Sequence, residues 1–350
     1  MIFCRQIFFI RGKGLPRSFR AGLLVFTLIL TGVLAHAQTR EFNEGRIRLV
    51  INEYTGRYSL FYLTNESQNQ YEPLFSHQDT RTSFIAVNVN DRIYRLGESS
   101  SFKTSVQAQG ENPVVVFVSQ FLEVKQIFSF IKTSGSPVCD GIKITVQIEN
   151  ISGEQAMVGL RMLIDTSLGE GWGKVPFYTE KQSVTGEIII PRSAGSGASG
   201  DKLWFSRGER ASLMGSIVLG GEKNPAPDLL HFANWKKLYD IPWKAVYSQG
   251  RNFNMPPYSI NDSAVSYYFE PVPLAAGNSL GYSICLGAEN PLGFAAESAV
   301  VSERDIDMRL LNNLLEKLDQ YLSGLIVMNE EDLAAIEQTI SQIKNRYGLR

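Results

Sequence analysis

Three carboxylates carry the first chemical signal in the sequence. Asp165 ends the run VGLRMLID, in which five of the seven residues before it are apolar. Thr166 follows directly, and Glu170 lies in the glycine-rich stretch Gly169-Glu170-Gly171-Trp172-Gly173. Asp262 comes nearly a hundred residues later, just before an apolar segment. A carboxylate behind such an apolar run, if buried, must be hydrogen-bonded, paired or bound to a cation. The plainer reading is that Asp165 caps the turn through its own backbone. Paired carboxylates are also the working groups of glycoside hydrolysis, where the separation that matters is set by the fold and not by local sequence. An acidic cluster among glycines can hold Ca2+, but the EF-hand pattern is absent, and no metal site and no cofactor is expected.

Other catalytic groups are sparse. Beyond residue 37 the chain has two histidines, His77 and His231, far apart in sequence. HExxH, CxxC and paired-cysteine zinc spacings are missing. Arg192 to Gly200 (RSAGSGASG) lacks the lysine of a phosphate loop and the spacing of a GxSxG elbow. No catalytic residue is assigned. The stretch from Gly220 to Ser263 holds Trp235, Tyr239, Trp243, Tyr247, Phe253 and Tyr258. Such aromatics either stack on sugar rings or on a partner chain, or cover the edge of the sandwich, and the covering role is preferred. The ligand-binding candidates are therefore Asp165, Thr166, Glu170, Trp172, Trp235, Trp243 and Asp262.

The elements that position these residues are strands. Val158, Leu160, Met162 and Ile164 alternate with Gly159, Arg161 and Leu163, which puts one set on each face of a sheet. Leu163 extends burial to the second face near the end of this central strand. About a dozen β-branched or aromatic runs lie between Gly45 and Gly287, with no convincing helix among them. Strands at such short spacing predict a mainly β, large antiparallel sandwich, and a segment of this size can be one domain.

Asp165-Thr166 with Gly169 after an apolar strand resembles a motif of uncharacterised secreted bacterial β-sandwich proteins. Their fold is similar to the supersandwich of galactose mutarotases and of glycoside hydrolase accessory domains. Asn261-Asp262-Ser263-Ala264-Val265 and Leu274-Ala275-Ala276-Gly277-Asn278-Ser279 are the second matching pieces. The resemblance spans roughly Gly45 to Gly287 and implies a β-supersandwich with carbohydrate as the alternative ligand. Such proteins usually show an Asn-Asp-Gly-like run after the glycine, where this chain has Glu170-Gly171-Trp172-Gly173. Mutarotase-type chemistry rests on paired histidines with a glutamate. Neither His77 nor His231 lies in a matching motif, so no catalytic role is carried over.

Three segments result: a signal peptide (1–37), the sandwich (38–294) and a C-terminal helical hairpin (295–350). Arg5, Arg11, Lys13, Arg17 and Arg20 precede the apolar run Ala21 to Leu34, and Ala35-His36-Ala37 gives a small-x-small cleavage site before Gln38. The run is short for a membrane span, so export to the periplasm or beyond is expected, with no span after cleavage. Removing these five of the 34 basic residues leaves 29 against 35 acidic ones, a net charge near −6. That balance disfavours nucleic acid as a partner. Cys139 and Cys285 remain in the mature chain as one candidate disulfide or two buried thiols.

The tail changes period at Ser302. Met308, Leu311, Leu315, Leu318, Leu322 and Leu325 recur at steps of three and four, as do Leu333, Ile336, Ile340, Ile343 and Tyr347. Leu310 and Leu314 widen the first apolar face. Leu310, Leu314, Leu318, Ile336 and Ile340 are thus partner-binding candidates, facing the chain's own sandwich, a second copy, or another envelope protein. The favoured expectation is a non-catalytic exported interaction protein. The alternative is a carbohydrate-binding or carbohydrate-processing one.

Overall fold

The computed structural model describes residues 39–76, 81–109, 112–171, 174–192, 201–217 and 225–295, with Leu318, Tyr321, Leu333, Ile336 and Glu337 beyond them. The unit that holds the sheets begins at Thr39. The expected signal segment 1–37, Trp172, His77, and Leu310, Leu314 and Ile340 of the expected hairpin lie outside the described residues.

The strands in chain order begin with β1 (Thr39–Glu44), β2 (Ile47–Asn52), β3 (Tyr58–Asn65), β4 (Gln70–Pro73), β5 (Phe84–Val89), β6 (Arg92–Arg95) and β7 (Lys103–Gln109). Next come β8 (Asn112–Val118), β9 (Leu122–Ile131), β10 (Gly141–Asn150), β11 (Ala156–Asp165), β12 (Phe177–Thr179) and β13 (Ser183–Val184). The series closes with β14 (Ile188–Pro191), β15 (Leu203–Arg207), β16 (Ser212–Ser216), β17 (Leu229–Asn234), β18 (Ser263–Leu274) and β19 (Ser279–Ala288). One short helix, α1 (Trp235–Asp240), separates β17 from β18.

The strands form a four-stranded sheet (β1-β2-β3-β4), a nine-stranded sheet (β13-β12-β15-β16-β19-β10-β9-β8-β7) and a six-stranded sheet (β14-β17-β18-β11-β5-β6). Every pairing is antiparallel. The period of two explains the layering. Leu122, Val124 and Phe128 of β9 and Ile142, Ile144, Val146 and Ile148 of β10 share one buried core with Val158, Leu160, Met162 and Ile164 of β11. Each such side chain contributes about 1.5–3 kcal/mol by leaving water, so the large sheets hold together as an antiparallel β-sandwich.

The central strand is buried on both faces, as its sequence predicts. Leu163 packs in a second cluster with Phe84, Ala86, Ala233, Leu238 and Ala264 on the outer face of the six-stranded sheet. Here α1 and the segment after it lie over the sheet. At Gly159 a Cβ would stand 2.8 Å from the Trp243 ring and 2.9 Å from the Phe269 carbonyl, so only glycine lets this segment approach. β11 shifts register against β18 between Val158 and Leu160, at the same point.

Several expectations change. There are nineteen described strands, not about a dozen. Those missed include polar strands such as β1 (TREFNE) and β7 (KTSVQAQ), the very short β13, and two apolar ones, β15 (LWFSR) and β17 (LLHFAN). The segment expected as one loop from Gly220 to Ser263 contains β17 and α1. Cys139 and Cys285 are not bridged to each other. Cys285 sits opposite Lys143 in the β10–β19 register, four residues along the chain from Cys139, which separates them well beyond disulfide reach. Of the hairpin candidates that are described, Leu318 is half-buried and helical, and Ile336, only 7% exposed, is helical and already covered within the chain. Among the described residues no helix is long and apolar enough to cross a membrane.

Candidate functional site

The β11–β18 register brings the carboxylates together. Asp165 pairs with Ala264 at the end of the ladder, so Asp262 lies just beyond the start of β18 at the same end. The turn after β11 then folds Glu170 back. Glu170 Oε1 accepts hydrogen bonds from the Ser263 amide (2.6 Å) and hydroxyl (3.0 Å). Gly169 makes that fold possible, since a Cβ there would lie 2.3 Å from the Pro176 carbonyl. One ligand oxygen from each of Asp165, Glu170 and Asp262 lies within 4.8 Å of the others.

Asp165 is 2% exposed. Its amide donates to Ser83 Oγ at 3.0 Å and its carbonyl accepts from the Ser76 amide at 2.9 Å. Its side-chain Oδ1 has no hydrogen-bond partner among the described residues. The turn is capped instead by Thr166, whose buried hydroxyl accepts from the Leu168 amide at 3.4 Å, which corrects the expectation that Asp165 serves as the cap. Burial pushes the Asp165 carboxyl up to about 8, with the charges of Asp262 and Glu170 adding to it against the Thr82 and Ser76 hydroxyls. Burial likewise raises Glu170 to about 7, and it raises Asp262. Among the described residues no lysine, arginine or histidine forms an ion pair with any of the three. Protons or a bound cation must therefore offset the charge.

Glycoside hydrolysis needs two carboxyls, about 5–9.5 Å apart, that both reach a sugar between them. Asp165, 2% exposed, is closed to solvent.

A second polar cluster lies under α1. Glu187, 4% exposed, accepts from Lys237 Nζ at 2.6 and 2.8 Å and from the Ser248 amide at 3.0 Å. His231 Nε2 lies 2.9 Å from Glu187 Oε1, and Lys237 also donates to Ser248 Oγ at 3.0 Å. His231 is fully buried, and its Nδ1 has no hydrogen-bond partner among the described residues. Burial pushes the Glu187 carboxyl up, but the bonds from Lys237, His231 and Ser248 outweigh it and hold it below the usual range. Burial lowers His231 against the pull of Glu187.

Arg161 and Asn234 complete the fastening of the cover. Arg161, 1% exposed, donates to Ser266 Oγ (2.9 Å) and to the carbonyls of Ile241 (2.5 Å) and Leu238 at the C-terminal end of α1. Asn234 caps the N-terminus through the Lys237 amide, and its Nδ2 reaches the carbonyls of Phe253 and Asp262 at 2.9 Å. Sequence reasoning missed Glu187, His231, Lys237 and Arg161 as a group. The one local signal was Asn234 as an N-cap, ahead of a helix only six residues long.

The predicted aromatics mostly cover the sheet. Trp243 is 6% exposed, packs edge-on against Tyr268 and donates to Glu270 Oε2 at 3.3 Å. Phe253 is buried against Phe177. Trp235 touches the carboxylate site through its backbone, donating to the Asp262 carbonyl at 3.0 Å, while its ring nitrogen donates to the Thr82 carbonyl. Asp165, Glu170, Asp262 and the adjoining Thr166 are thus brought to one place, and Trp243 is not a stacking platform.

His231 gives a testable pH response. The unfolded imidazole takes a proton near pH 6.5, whereas the folded one resists it until lower pH. Stability drawn from neutral His231 is therefore present above about pH 6.5 and lost as pH falls toward the folded value. The stability gap between the unsubstituted protein and His231→Asn should narrow between pH 7.5 and pH 5 in urea unfolding. A gap that stays constant would show that His231 titrates as it does in the unfolded chain.

No family model matches this sequence, and no curated protein matches it. Among solved structures the chain is similar to a galactose mutarotase related enzyme from Lactobacillus acidophilus, at 9% identity and a TM-score of 0.43, covering 72% of this chain and 98% of that one. It is similar also to a galactose mutarotase-like protein from Lactobacillus casei (10% identity, TM-score 0.40, 72% and 100% covered). An aldose epimerase homologue from C. elegans aligns at 9% identity with a TM-score of 0.41, over 73% of this chain and 99% of its own.

Proposed function

We propose that this is an exported, non-catalytic interaction protein that docks through the outer surface of the segment covering its six-stranded sheet. One observation carries the reading. Four of the eleven large apolar side chains exposed among the described residues fall between residues 246 and 260: Val246, Tyr247, Tyr258 and Ile260. Tyr258 and Ile260 are the most exposed of all, each at 71%. The same segment is pinned from beneath by Arg161, Asn234 and the Glu187 cluster. An apolar surface held rigid from below is suited to a partner, because little ordering cost remains on binding. The buried His231–Glu187–Lys237 group is consumed in that fastening, away from solvent. The partner in this reading is an envelope protein, with the C-terminal three-four leucine repeat as the second contact.

The test places a photo-crosslinking residue at Tyr258, or at Tyr54 as an equally exposed control (63%) on another part of the surface. After irradiation of intact cells, a discrete adduct from position 258 that is absent from position 54 is expected. The adducted chain should begin at Gln38. Equal or absent labelling at both positions would remove the docking reading, and an intact Met1 would remove export.

A second reading is carbohydrate binding at the carboxylate turn. Glu170, half-exposed and raised to about 7, favours it, because perturbed carboxyls concentrate at working sites. Binding on a glycan array that is lost in Glu170→Gln would support this reading over the first.

A further inference from the structure

We propose that Asp165, Glu170 and Asp262 form a Ca2+ site, separate from the docking surface, that fastens the end of the cover segment to the end of β11. The three carboxylates come from a strand end, a turn and the entry to a neighbouring strand, and their ligand oxygens fall within 4.8 Å of one another. Two Ca2+–oxygen distances of about 2.4 Å span that separation.

The independent sign of a ligand is Asp165. It is 2% exposed, its Oδ1 has no hydrogen-bond partner among the described residues, and its carboxylate is part of this cluster. A carboxylate so deeply buried and incompletely bonded is costly unless a positive charge meets it. Among the described residues no ion pair reaches it, and the groups that act on it most are hydroxyls and the two further carboxyls. Glu170 is already aimed. Its Oε1 is held by the Ser263 amide and hydroxyl, which leaves Oε2 for the ion. Asp262 is held through its backbone, whose carbonyl accepts from the Trp235 amide and Asn234 Nδ2. Two of the three ligands are thus positioned before any ion arrives.

The donors select the ion. All are carboxylate oxygens, with no imidazole or thiolate, which suits a hard cation and not zinc or copper. Mg2+ sheds its water reluctantly and demands a near-ideal octahedron, whereas Asp165, 2% exposed, is closed to solvent. Ca2+ accepts six to eight oxygens in irregular geometry, so Glu170 and Asp262, both half-exposed, can share it with solvent.

The test uses the full mature chain after EDTA treatment. Calorimetric titration with CaCl2 should give one ion per chain, and added Ca2+ should raise the melting temperature, with no comparable response to MgCl2. Asp262→Asn and Glu170→Gln should each weaken Ca2+ binding at least tenfold. Glu209→Gln, 82% exposed in its own salt bridge with Lys174, should leave it unchanged. No heat and no thermal shift up to about 10 mM Ca2+, tenfold above the roughly 1 mM weak end for extracellular sites, would overturn the assignment. So would affinity that survives both substitutions, or an equal response to Mg2+. On the unsubstituted chain Ca2+ must also displace bound Tb3+ one for one. Failure of that displacement overturns the site even where a variant does not fold.

Discussion

Replacing Glu187 with alanine lowers the unfolding free energy by about 3–5 kcal/mol at pH 7, the usual cost of breaking a buried ion pair from one side. The carboxylate takes both oxygens to Lys237, one of them also to His231 and the Ser248 amide. Without it, the Lys237 ammonium remains with an 8% exposed side chain and no counter-charge in that cluster. The lysine then either stays charged at high desolvation cost or loses its proton, and the cover opens to let it reach water. The pair itself is not a large net gain, because both ions were desolvated to form it. Glu187→Leu combined with Lys237→Leu should therefore recover most of what Glu187→Ala loses. The check is a denaturant series on the parent, the single variant and the double variant. A single-variant cost below about 1 kcal/mol is the value for an exposed pair. It would show that the cluster is open to solvent and does not fasten the cover.

This cluster also marks where the sequence stops being legible. The strand pattern of β11 could be read because alternation is local: Val158, Leu160, Met162 and Ile164 face one core, and Arg161 and Leu163 the other. Asp165, Glu170 and Asp262 could be picked out singly, from a carboxylate behind an apolar strand and a glycine-rich turn. Their convergence could not be seen, because it depends on the pairing of Asp165 with Ala264, a register fixed by the whole sandwich. The same holds for Glu187 and His231. Glu187 precedes β14, and Ile189 of β14 pairs with His231 of β17. No spacing rule links a glutamate to a histidine 44 residues away. The helix was hidden for a different reason. Six residues give too few turns for a 3.6-residue period, and α1 is held by Asn234 at one end and Arg161 at the other more than by its own propensity. The aromatics misled only in part. Their density announced a cover, while Trp243 and Tyr258 look alike in sequence and differ in burial, 6% against 71% exposed.

Arg161→Ala should detach that cover without unfolding the sandwich. The guanidinium reaches three acceptors at once: Ser266 Oγ in the sheet, and the Leu238 and Ile241 carbonyls at the end of α1. Those carbonyls carry the negative end of the helix, where a cation is favoured. Alanine leaves both without this donor under the cover, at about 1–3 kcal/mol each. It also removes the contact with the Tyr268 ring, 5.0 Å from the guanidinium carbon. The expected loss of about 3 kcal/mol or more is concentrated in one place. Hydrogen exchange should therefore speed up across 235–262 by a hundredfold or so, as a loss of that size implies, while β9 and β10 keep their protection. Arg161→Lys keeps the charge, but one ammonium cannot reproduce the planar fork that spans sheet and helix, so it should restore only part of the protection. Exchange that rises equally in β10 would show that the cover and the sandwich unfold as one unit. Exchange unchanged across 235–262 would show that Asn234 and the Glu187 cluster hold the cover without Arg161.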